Sequence, residues 1–100
     1  MIDKEDLLNN KDFYKSFKNG EDLTSFFKEM HKRAVEHMLD AELDTHLDNE
    51  KHQKSITGNY RNGHGTKKIK SSFGESEIKV PRDREGSFEP ALVPKRHNII

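Results

Sequence analysis

The side chains in this 100-residue chain best suited to a chemical task are basic: Arg61, Lys67, Lys68, Lys70, Lys79, Arg82, Arg84, Lys95 and Arg96. A lysine offers a point charge to a phosphate oxygen, and an arginine offers a fork that can also read a guanine edge. Tyr60, beside Arg61, adds a ring able to stack on a base. The plainer reading is that the lysines only solvate the outer face of a sheet. An opposing set, Glu36, Asp40, Asp44 and Asp48, recurs every four residues. On a helix those carboxylates share a face, and like charges so placed cost roughly 0.2–0.5 kcal/mol per pair. Either that face is solvated, or it meets the basic groups of residues 61–84. Six histidines raise the question of a metal. His31 and His37 are six apart and share a helix face poorly. His46 and His52 straddle an expected helix end, and no His-Glu-x-x-His motif occurs. We expect no metal site and no catalytic residue. Nucleotide-binding and nucleophile-elbow motifs are absent, and Arg61-Asn62-Gly63-His64-Gly65 is too short for a phosphate cradle.

Composition sets the limits within which these groups are held. Hydrophobic residues make up 30% and charged residues 36% of the chain, so the apolar area is enough for one small core. There is no Cys, which excludes disulfides and thiolate metal sites and fits a reducing, cytoplasmic setting. No apolar run approaches membrane-spanning length. The net charge of zero hides an asymmetry, since residues 1–50 carry −6 and residues 51–100 carry +6. An acidic half can dock on a basic half of the same or another chain, and a basic half can face nucleic acid.

Asp3 to Lys18 reads as a thin first helix, with Leu7, Leu8, Phe13, Tyr14 and Phe17 as its apolar content. A stronger helix is expected from about Asp22 to about Leu47, capped by Asp22 or Thr24. Leu23, Phe27, Met30, Ala34, Met38 and Ala41 form one stripe on it. Val35, Leu39, Leu43 and Leu47 form a second stripe, largely on the opposite side. At ~1.5 Å per residue this helix is about 38 Å long. So small a chain can hardly cover both stripes. The helix therefore breaks near Asp40, or a second subunit takes one surface. Val35, Leu39, Leu43 and Leu47 are the residues we assign to that contact. Residues 50–66 are polar and glycine-containing and read as a linker loop.

Residues 67–80 alternate as a β-hairpin does. Gly74-Glu75 suits the two-residue loop, with Gly at its first central position. That register places Phe73 opposite Ser76, Ser71 opposite Ile78 and Ile69 opposite Val80, with Pro81 ending the return strand. The other face then opposes Lys70 to Lys79, which is unfavourable unless an anion lies near. Arg82 to Gly86 reads as a charged turn. Ser87 to Pro94 reads as an extended segment in which Phe88, Leu92 and Val93 pack.

Several of these segments together resemble a known family. Arg61-Asn62-Gly63, then Ser72-Phe73-Gly74-Glu75, then Val80-Pro81-Arg82-Asp83-Arg84 and Gly86-Ser87-Phe88-Glu89-Pro90 occur in the order seen in the N-terminal region of mutator-type transposases, the IS256 family of bacterial insertion sequences. Met38-Leu39-Asp40-Ala41-Glu42-Leu43-Asp44-Thr45-His46-Leu47 resembles the helix preceding that region. The likeness runs from about Leu23 to the end, and residues 1–22 carry little of it. It implies a DDE transposase whose helix-turn-helix and catalytic core, with its Mg²⁺ ions, lie beyond these residues. The apolar end after Lys95-Arg96-His97 reads as a cut through a longer protein.

The sequence thus predicts an α+β piece in three parts. Residues 1–50 form an acidic helical segment expected to dimerise, 51–66 a polar linker, and 67–100 a basic β-hairpin segment. Its expected partners are DNA at insertion-element ends and further copies of itself. Its expected role is assembly and auxiliary DNA contact, without catalysis and without a cofactor of its own. Two alternatives from other classes are a dimerisation-only module and a small stand-alone nucleic-acid-binding regulator.

Overall fold

A computed structural model describes residues 3–53, 59–94 and 98–99. Two short helices, α1 (Lys4–Leu8) and α2 (Lys11–Lys15), lead into the long α3 (Gly20–Gln53). An antiparallel ribbon follows, β1 (Arg61–Ser71) and β2 (Gly74–Asp83). The architecture is α+β, as the alternation and periodicity predict.

The expected first helix is split. Asp3 caps α1 and Asn10 caps α2, each side chain accepting a backbone N–H of the first turn. Asn9 and Asn10 favour caps and turns over helix interior, so the break falls there. At the start of α3 the cap is Asn19, whose Oδ1 accepts from the Asp22 N–H at 2.7 Å. Asp22 reaches back to the Lys18 N–H at 3.0 Å, so it acts inside the first turn and not as the cap itself.

The long helix is unbroken at Asp40. At ~1.5 Å per residue its 34 residues span about 51 Å, nearly the 53 Å length of the molecule. The ribbon lies along its second stripe. Val35, Leu39, Ile69, Ile78 and Val93 form the core, with Val80 and Leu92 at its edge and Leu43 and Phe88 also buried. The assignment of Val35, Leu39 and Leu43 to a second subunit is therefore corrected, because Val35 and Leu39 pack on the chain's own hairpin and Leu43 is buried within the chain. Leu47 is half-buried.

The hairpin register also differs from expectation. Ser71 pairs with Gly74, Ile69 with Ser76, Lys68 with Glu77 and Lys67 with Ile78. The turn is Ser72-Phe73. Gly74 follows it at φ 106, where a left-handed residue is wanted after a type I turn. Ser71 Oγ accepts the Phe73 N–H at 3.2 Å and steadies the turn. Charge favours this register too, since it sets Lys70 opposite Glu75 and Lys68 opposite Glu77 instead of lysine opposite lysine. Each such cross-strand pair contributes roughly 0.2–1 kcal/mol. Ile69 meets a residue four positions from the expected one, an even displacement, so Ile69, Ile78 and Val80 still share a face. Phe73 leaves that face. Its ring sits 6.2 Å from Phe27 and 5.4 Å from His31, centroid to centroid.

β1 begins at Arg61, inside the segment read as linker. Asn62 and Gly63 form a bulge there, with Gly63 at φ 67. Pro81 pairs with His64 and stays within β2. A two-stranded ribbon leaves each strand an open edge, which tolerates a residue without an N–H. Both edges receive a partner: Glu36 Oε2 accepts the Lys79 N–H at 2.8 Å, and the Lys70 N–H donates to the Asn98 carbonyl at 2.6 Å.

Candidate nucleic-acid interface

Alternation puts Lys68, Lys70 and Lys79 on the ribbon face opposite the core side, and all three are exposed, with Lys79 at the edge that runs beside Glu36, His37 and Asp40 of α3. Glu75 and Glu77 share that face. Lys70 Nζ lies 3.8 Å from Glu75 Oε1, both side chains being more than half exposed (61% and 69%). An exposed pair at that distance contributes under about 1 kcal/mol and opens easily to a stronger anion. Three lysines against two glutamates make a face of weak positive charge. It can attract a phosphate chain but grips it loosely.

The other basic residues are dispersed. Lys67 points to the core side and donates to the Pro94 carbonyl at 2.5 Å, anchoring the segment after the ribbon. Arg61 is bound to the acidic row of α3. Its Nη1 donates to Asp40 Oδ1 at 3.1 Å, and its Nη2 to the Asp40 carbonyl at 3.0 Å and to Asp44 Oδ1. The Asp44 hydrogen bond raises the Arg61 pKa above its ordinary value, partial burial opposes that, and Asp40 adds to the rise. With Glu36 on Lys79 N–H, three of the four row members thus meet the ribbon. The Arg82 guanidinium lies against Gly65, where an added Cβ would come within 2.8 Å of Nη2. Arg84 sits over the Tyr60 ring at 5.5 Å, a cation–π contact. Lys95 and Arg96 fall outside the described residues.

Sequence reasoning missed Asp83, a buried carboxylate. Its Oδ2 accepts from Asn59 Nδ2 at 3.0 Å, from the Ser87 N–H at 3.1 Å and from Ser87 Oγ at 2.8 Å, and its Oδ1 accepts from the Phe88 N–H at 3.2 Å. Burial alone would raise its pKa, but the Asn59, Ser87 and Phe88 hydrogen bonds overcome this and lower it to about 2. This carboxylate folds the turn after β2 and sets Phe88 into the core. The visible signal was an Asp just before a Gly- and Ser-containing turn, where its side chain takes up the following N–H groups. Glu42 was missed too. Its Oε1 accepts the N–H groups of Ala91 and Leu92, both at 3.2 Å, and ties that segment to α3. Among the described residues, no three His, Asp or Glu side chains are grouped to hold a metal.

The family model for "Transposase, Mutator family" matches residues 1–99. The chain belongs to the Mutator family of transposases. The match includes residues 1–22, where the motifs gave little sign of it. Among curated relatives, the chain is 36% identical over 76 residues to the transposase for insertion sequence element IS905 of Lactococcus lactis, covering 74% of this chain and 19% of the relative. It is 34% identical over 86 residues to the transposase for IS1201 of Lactobacillus helveticus, covering 82% and 23%. The transposase for ISRM3 of Rhizobium meliloti is 36% identical over 67 residues, covering 67% and 16%. The chain thus spans about a fifth of the length of these relatives. No helix among the described residues is long and apolar enough to cross a membrane.

Proposed function

We propose that this chain is the N-terminal part of an IS256-type transposase and serves the assembly of the enzyme and its auxiliary contact with insertion-element DNA in the cytoplasm. The observation that carries the DNA half is the exposed lysine face of the ribbon, Lys68, Lys70 and Lys79, stiffened from behind by α3. Ammonium groups on a twisted ribbon reach phosphate oxygens and position a protein without reading bases. Any base readout in this segment draws on Arg82, which is exposed, and on Arg84, which lies over the Tyr60 ring, while Arg61 is held by Asp40 and Asp44. Strand cleavage and joining belong to the remainder of the enzyme, together with the Mg²⁺ ions such chemistry uses.

Fluorescence anisotropy of a labelled duplex over a salt series tests the DNA contact. The wild-type chain should bind weakly, with log K falling steeply as log salt rises. Replacing Lys68, Lys70 and Lys79 together by Gln should flatten that slope by about two to three and weaken element-end and scrambled duplexes alike. Glu75→Gln with Glu77→Gln should tighten binding. An unchanged slope in the triple variant removes the ribbon from the DNA contact.

A further inference from the structure

The stripe of α3 that the ribbon leaves bare is apolar. α2 and the residues just after it cover its N-terminal end, where Phe13 and Phe17 meet Phe26 edge-on at 5.5 and 5.3 Å between ring centroids. Beyond that point Met30, Ala34, Met38, Ala41 and Thr45 follow at three- and four-residue steps and are all exposed, Met30 at 44% and Met38 at 52%. This is the spacing of a coiled-coil seam, with small residues between the methionines that allow close approach. The segment 88–92 rises beside it, so Met38, Ala41 and Thr45 line one wall of a groove and Ala91 and Leu92 the other.

We infer that this seam docks on the same seam of a second copy of the chain, with the two helices antiparallel. The inference names the partner and the surface for the assembly half of the proposed function and rests on that half. Charge chooses the occupant and its direction. Residues 34–49 hold Glu36, Asp40, Glu42, Asp44 and Asp48 with no Lys or Arg, whereas residues 28–33 hold Lys28, Lys32 and Arg33 against one Glu29. A parallel pair lays acidic stretch beside acidic stretch. An antiparallel pair lays each acidic stretch beside residues 28–33, where Lys28 and Lys32 turn to Glu75 and Glu77 of the ribbon and Arg33 borders the seam. At ~100° per residue Arg33 and Asp44 border the seam on the same flank, and in an antiparallel pair like flanks meet. Arg33 makes an exposed pair with Glu29, at 3.1 Å, and can turn toward Asp44 of the second copy, a carboxylate that stays exposed while it accepts from Arg61 of its own chain. The free seam is centred near Met38, so its full overlap sets Ala34 of one copy opposite Ala41 of the other. The contact is isologous and closes as a dimer.

Sedimentation of the 100-residue chain at tens of micromolar, an order of magnitude suited to a modest interface, reads the stoichiometry. The wild type should run at twice the single-chain mass. Met38→Asp and Ala41→Glu should each run at the single-chain mass with unchanged helical content, because both positions face solvent in the single chain. A wild type that runs as a single chain overturns the inference, as does a dimer that survives both substitutions. Direction is read separately, which the absence of native cysteine makes clean. Oxidising a mixture of Ala34→Cys and Ala41→Cys chains should give mainly the mixed disulfide. Disulfides within each variant instead would mean a parallel pair and overturn the antiparallel arrangement. A chain that stays single yet binds duplex with the lysine-dependent salt slope overturns the dimer alone and leaves the DNA reading standing.

Discussion

Asp83 shows how much of this fold depends on single side chains. Its carboxylate takes up three groups of the turn after β2 and one of Asn59. Asp83→Ala leaves the buried Phe88 N–H and the part-buried Ser87 N–H without that partner. We expect a loss of about 3 kcal/mol by urea unfolding; a loss under about 1 kcal/mol would mean the turn folds by other means. The same group sets a pH dependence. Its folded pKa, about 2, lies below the ordinary 3.8, so the charged form stabilises the fold. That stability is fully present above about pH 5 and is lost as pH falls toward 2, amounting to about 2 kcal/mol. His46 Nε2 lies 3.8 Å from Asp83 Oδ2. Acid unfolding of wild type beside Asp83→Asn measures the effect, and parallel acid profiles would contradict it.

At the scale of elements, the match between α3 and the ribbon carries the stability. Leu39 is completely buried against Ile69 and Ile78, so Leu39→Ala should cost about 3 kcal/mol, whereas Met38→Ala on the exposed stripe should cost well under 1 kcal/mol in the single chain. Denaturant midpoints of the two variants test the orientation of the helix, and equal losses would contradict it. Cross-strand proton contacts by NMR should join Ile69 to Ser76 and Lys68 to Glu77, and contacts joining Ile69 to Val80 would restore the other register. The two stripes, the alternation of Ile69, Ile78 and Val80, and the packing of Phe88 and Val93 were legible because periodicity encodes which residues share a face. Which stripe the ribbon takes was not legible, since Met and Ala are as apolar by pattern as Val and Leu. The register was missed because Gly74 serves two turn geometries, and only the opposition of Lys68 and Lys70 to Glu77 and Glu75 separates them. The extent of β1 was hidden by Asn62 and Gly63, which read as loop and form a bulge instead. Of the expected contact residues, alternation set Lys68, Lys70 and Lys79 on one face. Nothing local announced that Lys67 and Arg61 would be used inside the fold.

Across the whole molecule, the −6 and +6 halves fold onto each other through Arg61 with Asp40 and Asp44, through Glu36 with the Lys79 N–H, through Glu42 with the Ala91 and Leu92 N–H groups, and through the shared core. The ribbon's outer face keeps its lysines exposed, and the far side of α3 keeps its apolar seam. The molecule thus presents two separate surfaces, one suited to a phosphate chain and one to a protein. An NMR titration of the isotopically labelled chain with a short duplex locates the first directly. Amide shifts should concentrate on Thr66 to Lys70 and Glu75 to Lys79, fade as salt is raised, and leave Met30 to Thr45 unmoved. Shifts centred on the Met30–Thr45 face, or none at low salt, would contradict the account.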